Sequence, residues 1–205
     1  MSPKISDHQK EERRQKILFA AKQIFTDKGY EPATLKDIVE EAGMSRGWIY
    51  LYFQTKEEIF EALLDQQDWE YEKYVDGLLA KNPLIWEVIL VTFAQQKAEL
   101  LSSVNGNLLP AFYEYFLTGW RDDHRRNLLL SRYENGITRF AKLLQLGVDR
   151  GEFAPTLSTG DIARIIASFQ EGIMTHTFAV GPEQAHTEAQ LQALVNYLSQ
   201  LLSIS

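Results

Sequence analysis

Residues Thr34 to Phe60 read TLKDIVEEAGMSRGWIYLYFQTKEEIF. Leu35, Ile38, Val39 and Ala42 recur at helical spacing, so the first part is a short helix with one apolar face. Thr34 with Asp37 is a capping-box-like start. Gly43 closes the helix, because glycine accepts the positive φ of a helix C-terminus without penalty. Ser45 then suits the N-cap of a second short helix. Met44, Ile49 and Phe53 are left to face inward, with Arg46, Gly47, Trp48, Tyr50 and Tyr52 mostly on the outer side. Thr55 with Glu58 caps a third helix, with Lys56 in its first turn, where backbone N–H groups suit a phosphate oxygen.

Two short helices joined by a tight turn form a helix-turn-helix, which lays its second helix in the major groove of double-stranded DNA. Upstream, Ile17, Ala20, Ala21, Ile24 and Phe25 form an amphipathic stripe that ends at Lys28-Gly29. The expectation is a three-helix head from about Lys10 to Gln54. Its expected DNA-binding residues are Thr34, Ser45, Arg46, Gly47, Trp48, Tyr50, Tyr52 and Lys56. Arg46 and Trp48 are assigned to base edges, with Gly47 permitting close approach, and Thr34, Tyr50, Tyr52 and Lys56 to phosphates. The basic residues Lys4, Lys10, Arg13, Arg14 and Lys16 are further candidates for tracking phosphates, although a solvated tail is the simpler reading for Lys4 and Lys10.

The run Ala20-Ala21, Phe25, Gly29-Tyr30, Thr34, Ile38, Ala42-Gly43, Ser45, Gly47, Tyr50, Tyr52-Phe53 and Thr55-Lys56-Glu57-Glu58 resembles the N-terminal domain of the TetR family of bacterial transcriptional repressors. Trp48 is a departure from that pattern. The resemblance implies an all-α fold, with a helix-turn-helix DNA-binding domain over 1–54 and a helical ligand-binding and dimerisation domain over 55–205. It also implies a small-molecule effector whose binding releases the operator.

Net charge is −7, which argues at first sight against nucleic acid. The distribution reverses that argument. Residues 1–56 hold 10 basic and 8 acidic side chains, and the rest of the chain 11 basic and 20 acidic. An acidic body repels DNA and orients the approach head first. There is no cysteine, hence no disulfide framework and no thiolate metal site. The N-terminus lacks the apolar core of a signal peptide, and the longest apolar run, Leu84 to Ala94, is broken by Glu87 and Thr92. A cytoplasmic protein with no membrane partner is expected.

Beyond the head, helix signals run over about 55–80, 84–101, 108–120, 121–150, 159–180 and 187–202, with breaks at Asn82-Pro83, 102–107 and Gly181-Pro182. Thr187 and Gln190 open the last of these helices. Ile162, Ile165, Ile166, Phe169 and Ile173 form one stripe, and Leu191, Leu194, Val195, Leu198, Leu201 and Leu202 another. Such a hairpin packs either inside its own chain or against its copy as a four-helix bundle. A palindromic DNA site favours the copy, because two heads must be paired across a two-fold axis. The expected homodimer contacts are therefore Ile162, Ile166, Phe169, Ile173, Leu191, Leu194, Leu198 and Leu201.

Aromatics concentrate in the central helices, and Trp86, Phe93, Phe112, Phe116, Tyr133 and Phe169 are the expected lining of a pocket for a small, mostly apolar effector. The competing reading is a packed core. Gln96, Glu134, Asn135, Gln170 and His176 are the polar groups in reach of such a site. The four histidines are scattered without metal-ligand spacing, and no nucleophile elbow, P-loop or dinucleotide motif is present. Neither a cofactor nor an enzyme is expected. The alternatives are a helical adaptor without DNA binding or, less favoured, a small-molecule enzyme.

Overall fold

The structure is a computed structural model that describes residues 6–81, 84–102 and 108–204, and among these it is all helical. The helices are α1 (Asp7–Lys28), α2 (Leu35–Ala42), α3 (Arg46–Ile49), α4 (Lys56–Leu79), α5 (Ile85–Ser102), α6 (Leu109–Thr118), α7 (Asp123–Asp149), α8 (Thr159–Val180) and α9 (Thr187–Leu201). Lys4, the expected break at Asn82-Pro83 and the expected loop at 102–107 lie outside the described residues, apart from the backbone of Ser102. No described helix is long and apolar enough to cross a membrane.

The chain divides into two compact units, and the first boundary falls inside α4, after Glu72. Unit 1 holds α1, α2, α3, the first part of α4 and α6. Unit 2 holds the end of α4 with α5, α7, α8 and α9.

Local signals set most helix ends. Ser6 opens α1 with a complete capping box to Gln9. Thr34 opens α2 with another to Asp37, and Gly43 ends α2 in the left-handed region at φ 58°. Ser158 caps α8 by accepting from the Asp161 N–H at 3.1 Å. The start of α9 departs from expectation. His186 is its N-cap and makes no side-chain capping bond. The Thr187 hydroxyl instead pairs with that of Thr177 at 2.6 Å, both buried, so α8 and α9 are tied inside the core.

The centre of unit 1 is aromatic. Phe25, Tyr30, Phe60 and Tyr115 pack with ring centroids 4.7–5.7 Å apart. Tyr115 belongs to α6, so α6 is part of the core around the helix-turn-helix. Its Ala111 and Phe116 are buried with it. The Tyr115 hydroxyl donates to Glu61 and, at 3.1 Å, to Glu57, both on α4. Burial first, then the hydrogen bond and charge of Glu61, hold this phenol's proton well above the usual range. It therefore remains a donor at any ordinary pH.

Unit 2 is built around Ile85, Ile89, Leu144, Phe153, Ile162, Ile166, Leu194, Leu198 and Leu202. Glu152 caps α5 by accepting from the Ile85 and Trp86 N–H groups at 2.7 and 3.3 Å.

Candidate nucleic-acid interface

The helix pair is positioned from behind by α1, whose Ile17, Leu18, Ala21 and Phe25 are buried. From α2, Ile38 and Ala42 point into the same core. The second helix of the pair is very short. α3 covers four residues, and the chain continues as a turn over Tyr50 to Tyr52. Ile49 and Phe53 are its buried anchors, as the spacing predicts. Ser45 stands at the N-cap position, but its side chain makes no capping bond. Arg46, Gly47, Trp48, Tyr50 and Tyr52 all sit on this short segment, exposed or half-buried. A Cβ on Gly47 would meet nothing within 4 Å, so packing inside the chain does not require glycine there.

Arginines lie over the aromatic rings of this segment. Arg46 donates to the Tyr50 hydroxyl through Nε at 3.2 Å and Nη2 at 2.8 Å, and its guanidinium carbon is 5.3 Å from the ring centroid. Arg13 lies 4.1 Å over Trp48, and Arg14 lies 5.8 Å over Phe53. Planar guanidinium groups favour such stacking. Arg13 and Arg14 precede the buried pair Ile17 and Leu18 by one turn, so they extend the apolar stripe of α1 with charge. That spacing is the signal by which the contacts are legible from sequence.

Two expected phosphate ligands are placed differently. The Thr34 hydroxyl donates to Asp37 at 2.7 Å and accepts from the Asp37 N–H at 3.2 Å, so it is occupied by its capping box. Asp37 also receives Lys28 at 2.8 Å. Those bonds, Lys28 first and then Thr34, lower the Asp37 carboxyl to about 2. The stabilisation they give is present above the ordinary carboxylate range and is lost as pH falls through that value.

Lys56 is turned inward as well. Its ammonium donates to the carbonyls of Tyr30, Glu31 and Ala33 at 2.8, 3.1 and 2.9 Å and lies 4.4 Å from the Tyr30 ring centroid. The reason is local. The chain between α1 and α2 turns sharply and leaves three carbonyls converging, and an ammonium has three donors to satisfy them. The same turn is held from α6, where Glu114 accepts from the Glu31 N–H at 3.0 Å and Thr118 donates to the Glu31 carboxylate at 2.7 Å. Neither Thr34 nor Lys56 offers its side chain to a phosphate in this geometry.

The structure also places the expected dimer and effector residues within the chain. Ile162, Ile166, Ile173, Leu191, Leu194 and Leu198 are buried within the single chain, so their side chains have no surface to give a partner. Leu201 is partly buried against the same core. Phe169 alone of the eight is well exposed, at 55 %, and it packs edge-on against Tyr197, itself 39 % exposed. The α8 and α9 stripes therefore serve the chain's own core.

The six expected effector aromatics are divided between the two units. Phe112 and Phe116 belong to unit 1, where their rings meet edge to face with centroids 4.6 Å apart and Phe116 packs on Tyr115. Trp86, Phe93, Tyr133 and Phe169 belong to unit 2. There Trp86 meets Phe153 and Phe93 meets Phe140, both at 6.5 Å, while Tyr133 is 42 % exposed. Of the polar candidates, Gln96 accepts from Gln170 and Glu134 accepts from Arg164.

An all-helical chain with a helix-turn-helix head and a separate helical body is the class that this architecture defines. Two family descriptions match it: bacterial regulatory proteins of the tetR family over residues 17–63, and the tetracyclin repressor-like C-terminal domain over 89–188. The chain is 36% identical over 202 residues to an uncharacterized HTH-type transcriptional regulator of Bacillus subtilis, YfiR, covering 98% of each. It is 28% identical over 156 residues to the HTH-type transcriptional repressor KstR2 of Mycolicibacterium smegmatis, covering 75% of this chain and 74% of that one. A TetR-family regulator from Cytophaga hutchinsonii shares the fold with a TM-score of 0.75 at 18% identity, covering 98% of this chain and 100% of that one. The chain belongs to the TetR family of helix-turn-helix transcriptional regulators.

Proposed function

We propose that this regulator is a repressor that binds a palindromic DNA operator as a homodimer and leaves it when a small, mostly apolar molecule binds unit 2. The observation that carries the DNA reading is the segment Ser45–Tyr52, where Arg46 and Trp48 are presented on a short helix, and Tyr50 and Tyr52 on the turn after it, held by Ile49 and Phe53. The repressor KstR2 among its relatives supports the direction of control. A binding protein of this kind works without catalysis and acts in the cytoplasm, where the DNA is.

Arg46 is assigned to a base edge, since a guanidinium reads guanine through two hydrogen bonds. It exchanges its two bonds to Tyr50 for bonds to the base. Arg46→Ala is expected to relax preference at one base position per half-site at a cost on the order of 1–3 kcal/mol. A base-substitution series read by fluorescence anisotropy checks this, and a uniform loss at all positions would place Arg46 on the phosphates instead. If the wild-type chain shifts no genomic fragment at any salt concentration, the adaptor reading takes its place.

For the dimer, the outward side of α8 and α9 replaces the buried stripes, with Phe169 and Tyr197 at its centre. Exposed aromatics in edge contact are the kind of anchor that interfaces bury. A Phe169→Arg, Tyr197→Arg double variant is expected to sediment as a folded monomer. Its operator affinity should fall roughly 10²- to 10⁴-fold, the gain normally supplied by linking two heads. A variant that remains dimeric would reject this face.

For the effector, Trp86 and Phe93 remain as candidate lining in unit 2. Binding is read out as thermal stabilisation in a screen of apolar and cationic compounds, then as weakened operator affinity in the presence of each hit. The chain passes between the units inside α4, so a ligand that favours one arrangement of α4 changes the half-site spacing that the heads can match. A hit that stabilises the protein without changing operator affinity would show binding without control.

A further inference from the structure

We infer that Arg13 of α1 sets the base selectivity of Trp48 by clamping its indole in one orientation on the reading segment. The inference rests on the DNA-binding reading above and adds to it a residue from outside the helix-turn-helix.

The guanidinium carbon of Arg13 lies over the Trp48 ring, 4.1 Å from its centroid, within the range of a cation–π contact. Its Nη1 is buried and has no hydrogen-bond partner among the described residues, and the ring contact of the guanidinium is the one with the indole. Trp48 needs such a support. α3 has only four residues, and the helix supplies few neighbours of its own to hold a large side chain. Arg13 is well placed to provide one. Ile17 and Ala21, one and two turns further along the same face of α1, are fully buried and fix the backbone that carries it.

Clamping matters for selectivity rather than for charge. An indole free to change rotamer follows whichever base it meets and loses conformational entropy on binding. An indole already held meets one base edge, or one thymine methyl, in a set geometry and resists the others. Lysine keeps the charge of arginine but not its plane, so it separates the two roles. Arg13 is therefore a positioning residue that acts through Trp48.

The test uses the full chain. Selection from a randomised duplex library defines the wild-type operator. Anisotropy titrations over its single-base variants are then run for wild type, Arg13→Lys, Trp48→Ala and the double variant. Arg13→Lys should lose on the order of 3- to 30-fold discrimination per half-site, the range of a stacked cation. The loss should fall at the base position that Trp48→Ala also relaxes, the salt slope should be unchanged, and the double variant should lose no more than Trp48→Ala. In the protein without DNA, 5-fluorotryptophan labels all four tryptophans. The Trp48 fluorine signal, assigned by its loss in Trp48→Phe, should move in Arg13→Lys while the other three stay. A wild type that selects an operator while Arg13→Lys keeps every base preference, or loses affinity equally at all positions, overturns this inference alone. An unmoved Trp48 signal overturns it too. A wild type that selects no sequence overturns the DNA-binding reading and this inference with it.

Discussion

Leu198→Ala is expected to lower the stability of unit 2 by about 2–5 kcal/mol, and Leu198→Glu to prevent that unit from folding. Leu198 is fully buried in the core with Ile162, Ile166, Leu194 and Leu202. Cutting its isobutyl side chain back to a methyl loses the transfer energy of the isopropyl group and leaves a cavity that rigid helices fill only in part. A carboxylate at the same place gains no partner among these apolar neighbours and loses its hydration. Urea denaturation followed by far-UV circular dichroism checks both variants. Had the stripe formed the dimer contact, Leu198→Glu would give a folded monomer with native helix content. Recovery of such a monomer by sedimentation would overturn the intramolecular assignment. The contrast with Phe169→Arg is the informative comparison, because that exposed site should tolerate charge without unfolding.

Lys56→Ala is expected to destabilise unit 1 by about 2–4 kcal/mol while leaving the salt slope of DNA binding unchanged. Three carbonyls between α1 and α2 share this ammonium, and its removal leaves them to be satisfied by solvent at a sharp turn. Charged donors to carbonyls are worth more than neutral ones, and partial exposure keeps the total below a simple sum. If Lys56 instead neutralised a phosphate, the variant would keep its melting temperature and reduce the slope of log affinity against log salt by about one unit. Melting temperature and salt slope measured on the same variant distinguish the two roles. A stable head with a reduced slope would return Lys56 to the DNA surface.

Particular residues show where reading the chain alone succeeds. Thr34, Asp37 and Gly43 define α2 because their bonds run to neighbours three or four residues away. Ile17, Ala21, Ile38, Ile49 and Phe53 are buried as their spacing requires. Arg46, Trp48 and Tyr50 share one short segment for the same local reason. Lys56 shows the limit. Its place in a first helical turn is legible, but its engagement by carbonyls 23–26 residues earlier is not, since that depends on how α1, α2 and α4 close on one another.

The two long stripes show the limit at larger scale. Periodicity states that α8 and α9 each bury one face, and it carries no label for what lies opposite. The fold answers with the chain's own α5 and α7, leaving only Phe169 of the expected contacts well exposed. The aromatics of α6 read as part of the body, yet Tyr115 and Phe116 complete the core of the head. Helix positions, most caps and the helix-turn-helix are thus determined by the sequence itself, because short-range hydrogen bonds and one-turn spacing are written along the chain; the caps of α3 and α9 are the exceptions. Which face meets which neighbour, and therefore which residues are core, clamp or surface, is decided only by the tertiary structure, because apolar burial is non-directional and rewards any complementary face the closed chain brings near.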